Sequence, residues 1–401
     1  MSKRDIDRHD VLKRLIRKEI KRSYAAKLLK LTPRHVTRLK YAIITYGASA
    51  LIHKQRGQPS HRQLPEKERE RIVTLLKEKY PDFGPTFAAE KLLALHRIHR
   101  DPKTIRAIQI KEGLWKPRRS KTKNEHRAWR QRRSSYGEME QFDGCYPDWF
   151  EGRGGIHEAC LLASIDDATG KPTKLEFAPH EGVFPVFGFW KTYMEINGKP
   201  RQIYLDKFST YKMNHATAKD NPNLKTQFQR AMTELRVEPI FAQSPQAKGR
   251  IERLFDTLQD RLVKEMRLAN ISTVEEANIF LKEKFIPSFN EKFSVEAASS
   301  SDLHQVLTEK ERKALPSIFS RQEQRTVQND FTFSFQNRWY QLTEIQPVTL
   351  CKKDEITVEE HLDHTIHIRL RGKELNYVLL PDRPKKSSVP FVIAKSTPRT
   401  T

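Results

Sequence analysis

Three acidic residues stand where they could do chemistry together: Asp143, Asp206 and Glu252, 63 and 46 residues apart. Asp143 closes the segment EMEQFD, Asp206 closes RQIYLD, and Glu252 falls in the opening turn of KGRIERLFDTLQDRLVKEMRL. Carboxylates brought to one place repel each other, and burial raises that cost. A hard divalent cation resolves the conflict. Carboxylate oxygens match Mg2+ or Mn2+, and such ions keep water positions open to phosphate oxygens. Two ions about 4 Å apart can activate an attacking oxygen and stabilise a leaving one in phosphodiester cleavage. Acids at strand ends are common, so this chemistry depends on the elements that would carry them.

From about residue 137 the pattern predicts such elements. GEMEQFDG, HEACLLASIDDATG and KPTKLEFAPH read as three strands joined by short turns, hence antiparallel neighbours. Phe184–Ile196 reads as an aromatic-rich helix, RQIYLD as a short buried strand, Leu224–Leu235 as a helix and Val237–Ala242 as a strand. The last helix sets Ile251, Leu254, Phe255, Leu258, Leu262 and Met266 on one side. The order β-β-β-α-β-α-β-α predicts a mixed five-stranded sheet with helices on both faces. Asp166 and Asp167, in an Asp-Asp-Ala-Thr-Gly context, read as a turn rather than as ligands. Trp149, Phe150 and Trp190 suit a core or base stacking, and His157 and His180 lack metal-ligand spacing.

The flanks fit an anionic partner. Lys and Arg number 74 against 50 Asp and Glu, a net charge of +24 that points to nucleic acid first. Three cysteines with no C-x-x-C exclude a disulfide framework and a four-thiolate zinc site. Without a long apolar stretch or a signal segment, a soluble protein of a reducing compartment is expected, with no membrane role. Residues 1–60 hold a net +12. There a short helix at Tyr24–Leu29, a turn, and a second helix capped by Thr32 with Pro33 first have the shape of a helix-turn-helix, with Arg34, Arg38 and Lys40 free for DNA. Residues 61–115 read as a second helical, helix-turn-helix-like domain offering Lys103 and Arg106. Residues 116–136 read as a basic linker, where Arg118, Arg119, Arg132 and Arg133 would follow phosphates. The catalytic core is expected at 137–270 and a helical linker at 271–323. Alternating strands at 324–382 suit a small β-barrel, and 383–401 a flexible basic tail.

These residues match a known pattern. EQFDG, IYLDKFSTY and SPQAKGRIERLFDTLQDRL together resemble the catalytic core of DDE transposases and integrases, which is ribonuclease-H-like; the LDKFSTY form is similar to bacterial ISNCY-type insertion-sequence transposases. The resemblance implies that Asp143, Asp206 and Glu252 are catalytic and hold Mg2+ or Mn2+, two ions per site; beside them in the sequence, the charges of Lys207, Lys248 and Arg250 read as contacts to DNA. It further implies a homo-oligomer assembled on double-stranded DNA, namely the terminal inverted repeats of a transposon and a target. Water would free a 3′-OH at the transposon end, and that hydroxyl would attack the target. The sequence departs from the pattern in two places. Lys207-Phe208 stands where many relatives have Asn-Gly, and the 45 residues between Asp206 and Glu252 exceed the usual spacing, which leaves Glu234 and Glu238 as alternatives for the third acid. The histidine-cysteine zinc module of retroviral integrases is absent. A catalytically inactive DNA-binding regulator and a stand-alone nuclease are the competing functions.

Overall fold

The computed structural model describes residues 3–52, 63–117, 131–205, 221–241 and 249–383. The chain divides into two compact units at residue 120. In the first, α1 (Lys3–Ile16), α2 (Arg22–Leu29) and α3 (Pro33–Tyr46) bury Leu12, Leu15, Ala25, Ala26, Val36 and Ile43 together. Two small alanines let α2 approach its neighbours closely. Lys30 ends α2 at φ +52°, and the Leu31 N–H donates to the Ala26 carbonyl at 3.0 Å. The Thr32 hydroxyl then accepts the His35 N–H at 3.3 Å and Pro33 opens α3. A separate core of Ile72, Leu76, Tyr80, Phe83, Phe87, Leu92, Ile105 and Ile108 holds α4 (Glu66–Glu78), α5 (Pro85–His96) and α6 (Pro102–Lys111).

The second unit begins with β1 (Ser135–Tyr136), β2 (Met139–Cys145), β3 (Cys160–Asp166), β4 (Pro172–Ala178) and α7 (Val183–Asn197). β5 (Gln202–Leu205), α8 (Asn221–Leu235), β6 (Glu238–Phe241) and α9 (Gly249–Leu268) follow. Five strands form one sheet in the order β4-β3-β2-β5-β6. β2, β3 and β4 are antiparallel neighbours, whereas β5 runs parallel to β2 and β6 parallel to β5. This is the mixed sheet that the pattern of elements predicts. β3 is buried along its whole length because the sheet is covered on both faces. One face packs Phe142, Leu162, Ile203 and Leu205 against α7 and α8. The other packs Leu161, Ala163, Ile165, Leu175 and Phe177 against α9. Trp149 and Phe150 belong to the α9 layer and Trp190 to the α7 layer, all three in the core.

Residues 271–323 do more than connect. α10 (Val274–Phe280), a π-turn and α11 (Ile286–Phe293) add Phe285 and Phe289 to the α9 layer, and β7 (Ser299–Asp302) pairs with β1. α12 (Glu309–Ile318) adds Leu315 and Ile318 to the opposite layer. Beyond it lie β8 (Arg321–Thr326), β9 (Thr332–Phe335), β10 (Arg338–Leu342), β11 (Glu355–Glu360), β12 (Ile366–Leu370), β13 (Lys373–Glu374) and β14 (Tyr377–Leu380). The expected small β-barrel is corrected here. Among the described residues these strands make two sheets, β14-β10-β9 and β13-β12-β11-β8, with no closed ladder. Phe333, Tyr340, Ile356, Val358 and Ile368 from both sheets fill one core, which buries the alternating apolar positions without closure. Between β8 and β9 the Arg325 side chain, rather than a backbone ladder, reaches the Ser334 carbonyl at 3.1 Å.

Candidate active site

Alternation along β2 puts Gln141, Asp143 and Cys145 on the face that α9 covers, and Phe142 on the other. The apolar stripe of α9 lies on β2 and β3, which leaves Glu252, Asp256 and Gln259 exposed beside it. Two contacts fix the path of α9. The Ile251 N–H donates to Gln141 Oε1 at 3.3 Å, and Gln259 Nε2 reaches Cys145 Sγ at 3.7 Å. The helix therefore follows β2 from the level of Gln141 to that of Cys145, and half-buried Asp143 lies between them. Glu252 follows Ile251 directly and makes no ion pair among the described residues. Burial, reinforced by the Asp143 carboxylate, pushes the Cys145 thiol up, and Asp256 adds to the same negative field. Asp256, one helical turn beyond Glu252, is a neighbour that the motif alone did not single out.

β5 pairs in parallel with β2 through Gln141 and Tyr204 and ends one residue later at Leu205. Asp206, Lys207 and Lys248 lie outside the described residues. Neither alternative third acid faces Asp143. Glu238 pairs with Gln202, which pairs with Met139, so Glu238 sits about 13 Å along the strands from the level of Asp143. Its carboxylate accepts Gln202 Nε2 at 2.6 Å. Glu234, on α8, pairs with Arg230 at 2.7 Å.

The β3–β4 turn carries a buried polar network. Asp166 Oδ1 accepts the Thr169 N–H at 2.7 Å and the Thr169 hydroxyl at 2.6 Å, and its Oδ2 accepts the Gly137 N–H at 3.1 Å. Asp167 Oδ1 accepts Gln141 Nε2 at 2.6 Å and Arg250 Nη1 at 2.7 Å, while its Oδ2 accepts the Arg133 N–H at 2.9 Å. The turn reading of both aspartates agrees with this placement. Beside them, Glu140 is wholly buried; burial, then the Asp166 charge, holds its carboxyl well above the usual range. Arg250, expected at DNA, has a side chain only 12% exposed and directs its guanidinium at Asp167. Arg133 Nη2 is bound to Gln202 at 2.9 Å, and Arg132 Nη1 to the Ala168 carbonyl at 3.1 Å. No local signal announces the Arg250–Asp167 pair, because its partners lie 83 residues apart. Gln141 was findable, since it shares a strand face with Asp143.

In the first unit, Arg34 and Arg38 are exposed and Lys40 half-exposed on α3. The two arginines line an open concavity with Arg22, Thr32, His35 and Tyr41. On α6, Lys103 is exposed beyond the Asp101 cap, and the Arg106 guanidinium lies 5.0 Å over the Trp115 ring. Arg118 and Arg119 lie outside the described residues.

The donor chemistry suits a hard divalent cation. Asp143 offers carboxylate oxygens at the sheet surface, Glu252 is exposed on the helix packed beside it, and the adjacent thiol is held protonated. Among the described residues no three ligating side chains converge, and only two of the three expected acids are described.

No protein-family model matches the chain. Two sequence relatives do. "Putative transposase y4bF" of Sinorhizobium fredii is 36% identical over 378 residues, covering 94% of this chain and 81% of that protein. "Transposase for insertion sequence IS1202" of Streptococcus pneumoniae is 27% identical over 381 residues, covering 86% of this chain and 80% of that protein. Among solved structures, a simian T-cell lymphotropic virus intasome chain matches 78% of this chain and all of its own length at 14% identity and a TM-score of 0.33. The HTLV-2 integrase catalytic core domain in complex with magnesium matches 36% of this chain and 82% of its own at 16% identity and a TM-score of 0.28. Both scores are below 0.5, so the assignment rests on the sequence relatives. The chain belongs to the transposase family of these relatives. It is a transposase.

Proposed function

We propose that this transposase hydrolyses a phosphodiester at the ends of a mobile DNA element and joins the freed 3′-OH to target DNA, at one site built from Asp143, Asp206 and Glu252. One observation carries this reading: the first turn of α9, with Glu252, is hydrogen-bonded to the strand that holds Asp143. The sheet order and the helices on both faces support the ribonuclease-H-like assignment of this core. Asp143, Asp206 and Glu252 would hold Mg2+ or Mn2+, two ions per site, and such ions activate the attacking oxygen and stabilise the leaving one. The protein's own contribution is position. β2 fixes Asp143, the covered sheet fixes β2, and α9 presents Glu252 from a buried apolar stripe. Lys207 and Lys248, adjoining the acids in sequence, are assigned to DNA phosphates.

The first unit supports a recognition role. The short α2, the Lys30 turn and the capped α3 support the helix-turn-helix reading, in which Arg34, Arg38 and Lys40 enter the major groove. Residues 61–115 supply a second DNA-contacting domain through Lys103 and Arg106, and the 116–136 segment supplies Arg118 and Arg119 to phosphates. We assign the partners as the terminal inverted repeats and a target duplex, held by a homo-oligomer, since two ends must be cut in concert. The site of action is the cytoplasm, at the nucleoid.

The test uses the purified full chain, a labelled duplex carrying a terminal repeat, and a target plasmid. With Mg2+ or Mn2+ a nick and then a joined product are expected, and both vanish in Asp143→Asn. Nicking without joining would leave a nuclease. Repeat binding with no metal-dependent nicking would leave a regulator.

A further inference from the structure

A buried charge sits at the root of the helix that carries Glu252. Asp167 is fully buried and belongs to the β3–β4 turn, whereas Arg250 and Ile251 belong to the first turn of α9 and Gln141 to β2. One carboxylate oxygen of Asp167 takes Gln141 Nε2 at 2.6 Å and Arg250 Nη1 at 2.7 Å. The same Gln141, through its Oε1, takes the Ile251 N–H at 3.3 Å. A closed relay results: turn to helix through Arg250, turn to strand through Gln141, strand to helix through Ile251. Asp143 is two residues beyond Gln141 on the same strand face, and Glu252 is the residue after Ile251. Asp167 is in turn anchored, its own N–H donating to the Met139 carbonyl at 2.9 Å and its second oxygen taking the Arg133 N–H at 2.9 Å.

Bonds of this kind fix geometry. Two helices or strands that meet only through apolar contacts can slide, whereas a buried, charge-assisted pair has one arrangement. We propose that Asp167, acting through Arg250 and Gln141, is a positioning residue that sets the Glu252 end of α9 against the strand bearing Asp143. The inference rests on the proposed role of these two acids. It also turns Arg250, read from sequence as a DNA grip, inward to the protein.

Arg250→Met, Asp167→Asn and the double variant test it in the full chain. The double variant matters because removing one partner alone leaves an uncompensated buried charge and endangers folding, while removing both does not. Two readouts are taken. In metal-free protein, amide exchange at Ile251 and the first turn of α9 should rise about 10-fold or more, with β3 unchanged. In repeat-end cleavage, the Mg2+ concentration at half-maximal rate should rise roughly 10- to 100-fold, as for other residues that orient ligands, while affinity for the repeat without metal stays constant. The double variant should be no worse than either single one, since the pair acts as a unit. Unchanged exchange together with an unchanged Mg2+ midpoint overturns the proposal. So does a loss of DNA affinity at a constant midpoint, which would return Arg250 to the DNA. If the wild-type chain fails to cleave at all, the proposed reaction falls, and the exchange result still decides whether the relay holds the helix.

Discussion

Asp143 and Glu252 approach from different elements, and each has a distinct liability. Asp143 is half-buried beside a thiol that it helps to keep protonated, while Glu252 stands exposed at a helix start. Asp143→Asn keeps the shape and removes the charge, so cleavage of a repeat end should fall by about 10³-fold or more, several kcal/mol of transition-state stabilisation, with the melting temperature little changed. Gel assay of a labelled end, alongside calorimetry, checks both halves. Glu140 lies on the same strand but is wholly buried, and its carboxyl is held up by burial and by Asp166. A carboxyl raised in the folded state contributes stability that is complete below its unfolded value, near 4.5, and is lost as pH rises through the folded value. Glu140→Gln should therefore flatten the decline of melting temperature above pH 4.5 and gain most, relative to wild type, at the alkaline end. A melting series across pH for both proteins measures it, and parallel curves would show that Glu140 does not titrate in this way.

α9 is the element on which the proposed site depends. Ile251, Leu254, Phe255, Leu258, Leu262 and Met266 are buried against the sheet, and a fully buried side chain of this kind stabilises by about 1.5–3 kcal/mol. Leu258→Ala should cost about 2–5 kcal/mol by denaturant unfolding, because it removes a side chain with 0% exposure and leaves a cavity. α3 depends on a different feature, its cap. Thr32→Ala should cost about 1 kcal/mol and leave the metal dependence of cleavage untouched. A stability loss at Thr32 that also moved the Mg2+ midpoint would contradict the separation of recognition from chemistry.

At the scale of the molecule, a net charge of +24 suits the proposed binding to DNA, whose dependence on salt is set by the number of phosphates contacted. Each phosphate contact contributes about 0.9 to the slope of log affinity against log salt. Arg34→Ala with Arg38→Ala should lower the magnitude of that slope by about 1.8 on a repeat duplex, measured by titration at several salt concentrations. An unchanged slope would place the arginines of α3 away from the backbone.

Much of this was legible from the residues. Strand and helix patterns reflect which faces are buried, so β2, β3 and β4 follow from short apolar runs bounded by turns and the stripe of α9 from helical spacing, and Thr32-Pro33 marks the start of α3 by local hydrogen bonding alone. Other features depend on contacts that sequence order does not encode. The strands at the C-terminus alternate as a barrel would, yet whether a ladder closes is decided by backbone pairing between distant segments, and here two sheets share a core instead. Arg250 has the composition of a DNA contact, and only the fold brings it to a carboxylate 83 residues away. Local chemistry thus determined the elements and offered the acids as candidates, while tertiary packing decided which charges face inward, because burial turns an exposed cation into half of an ion pair.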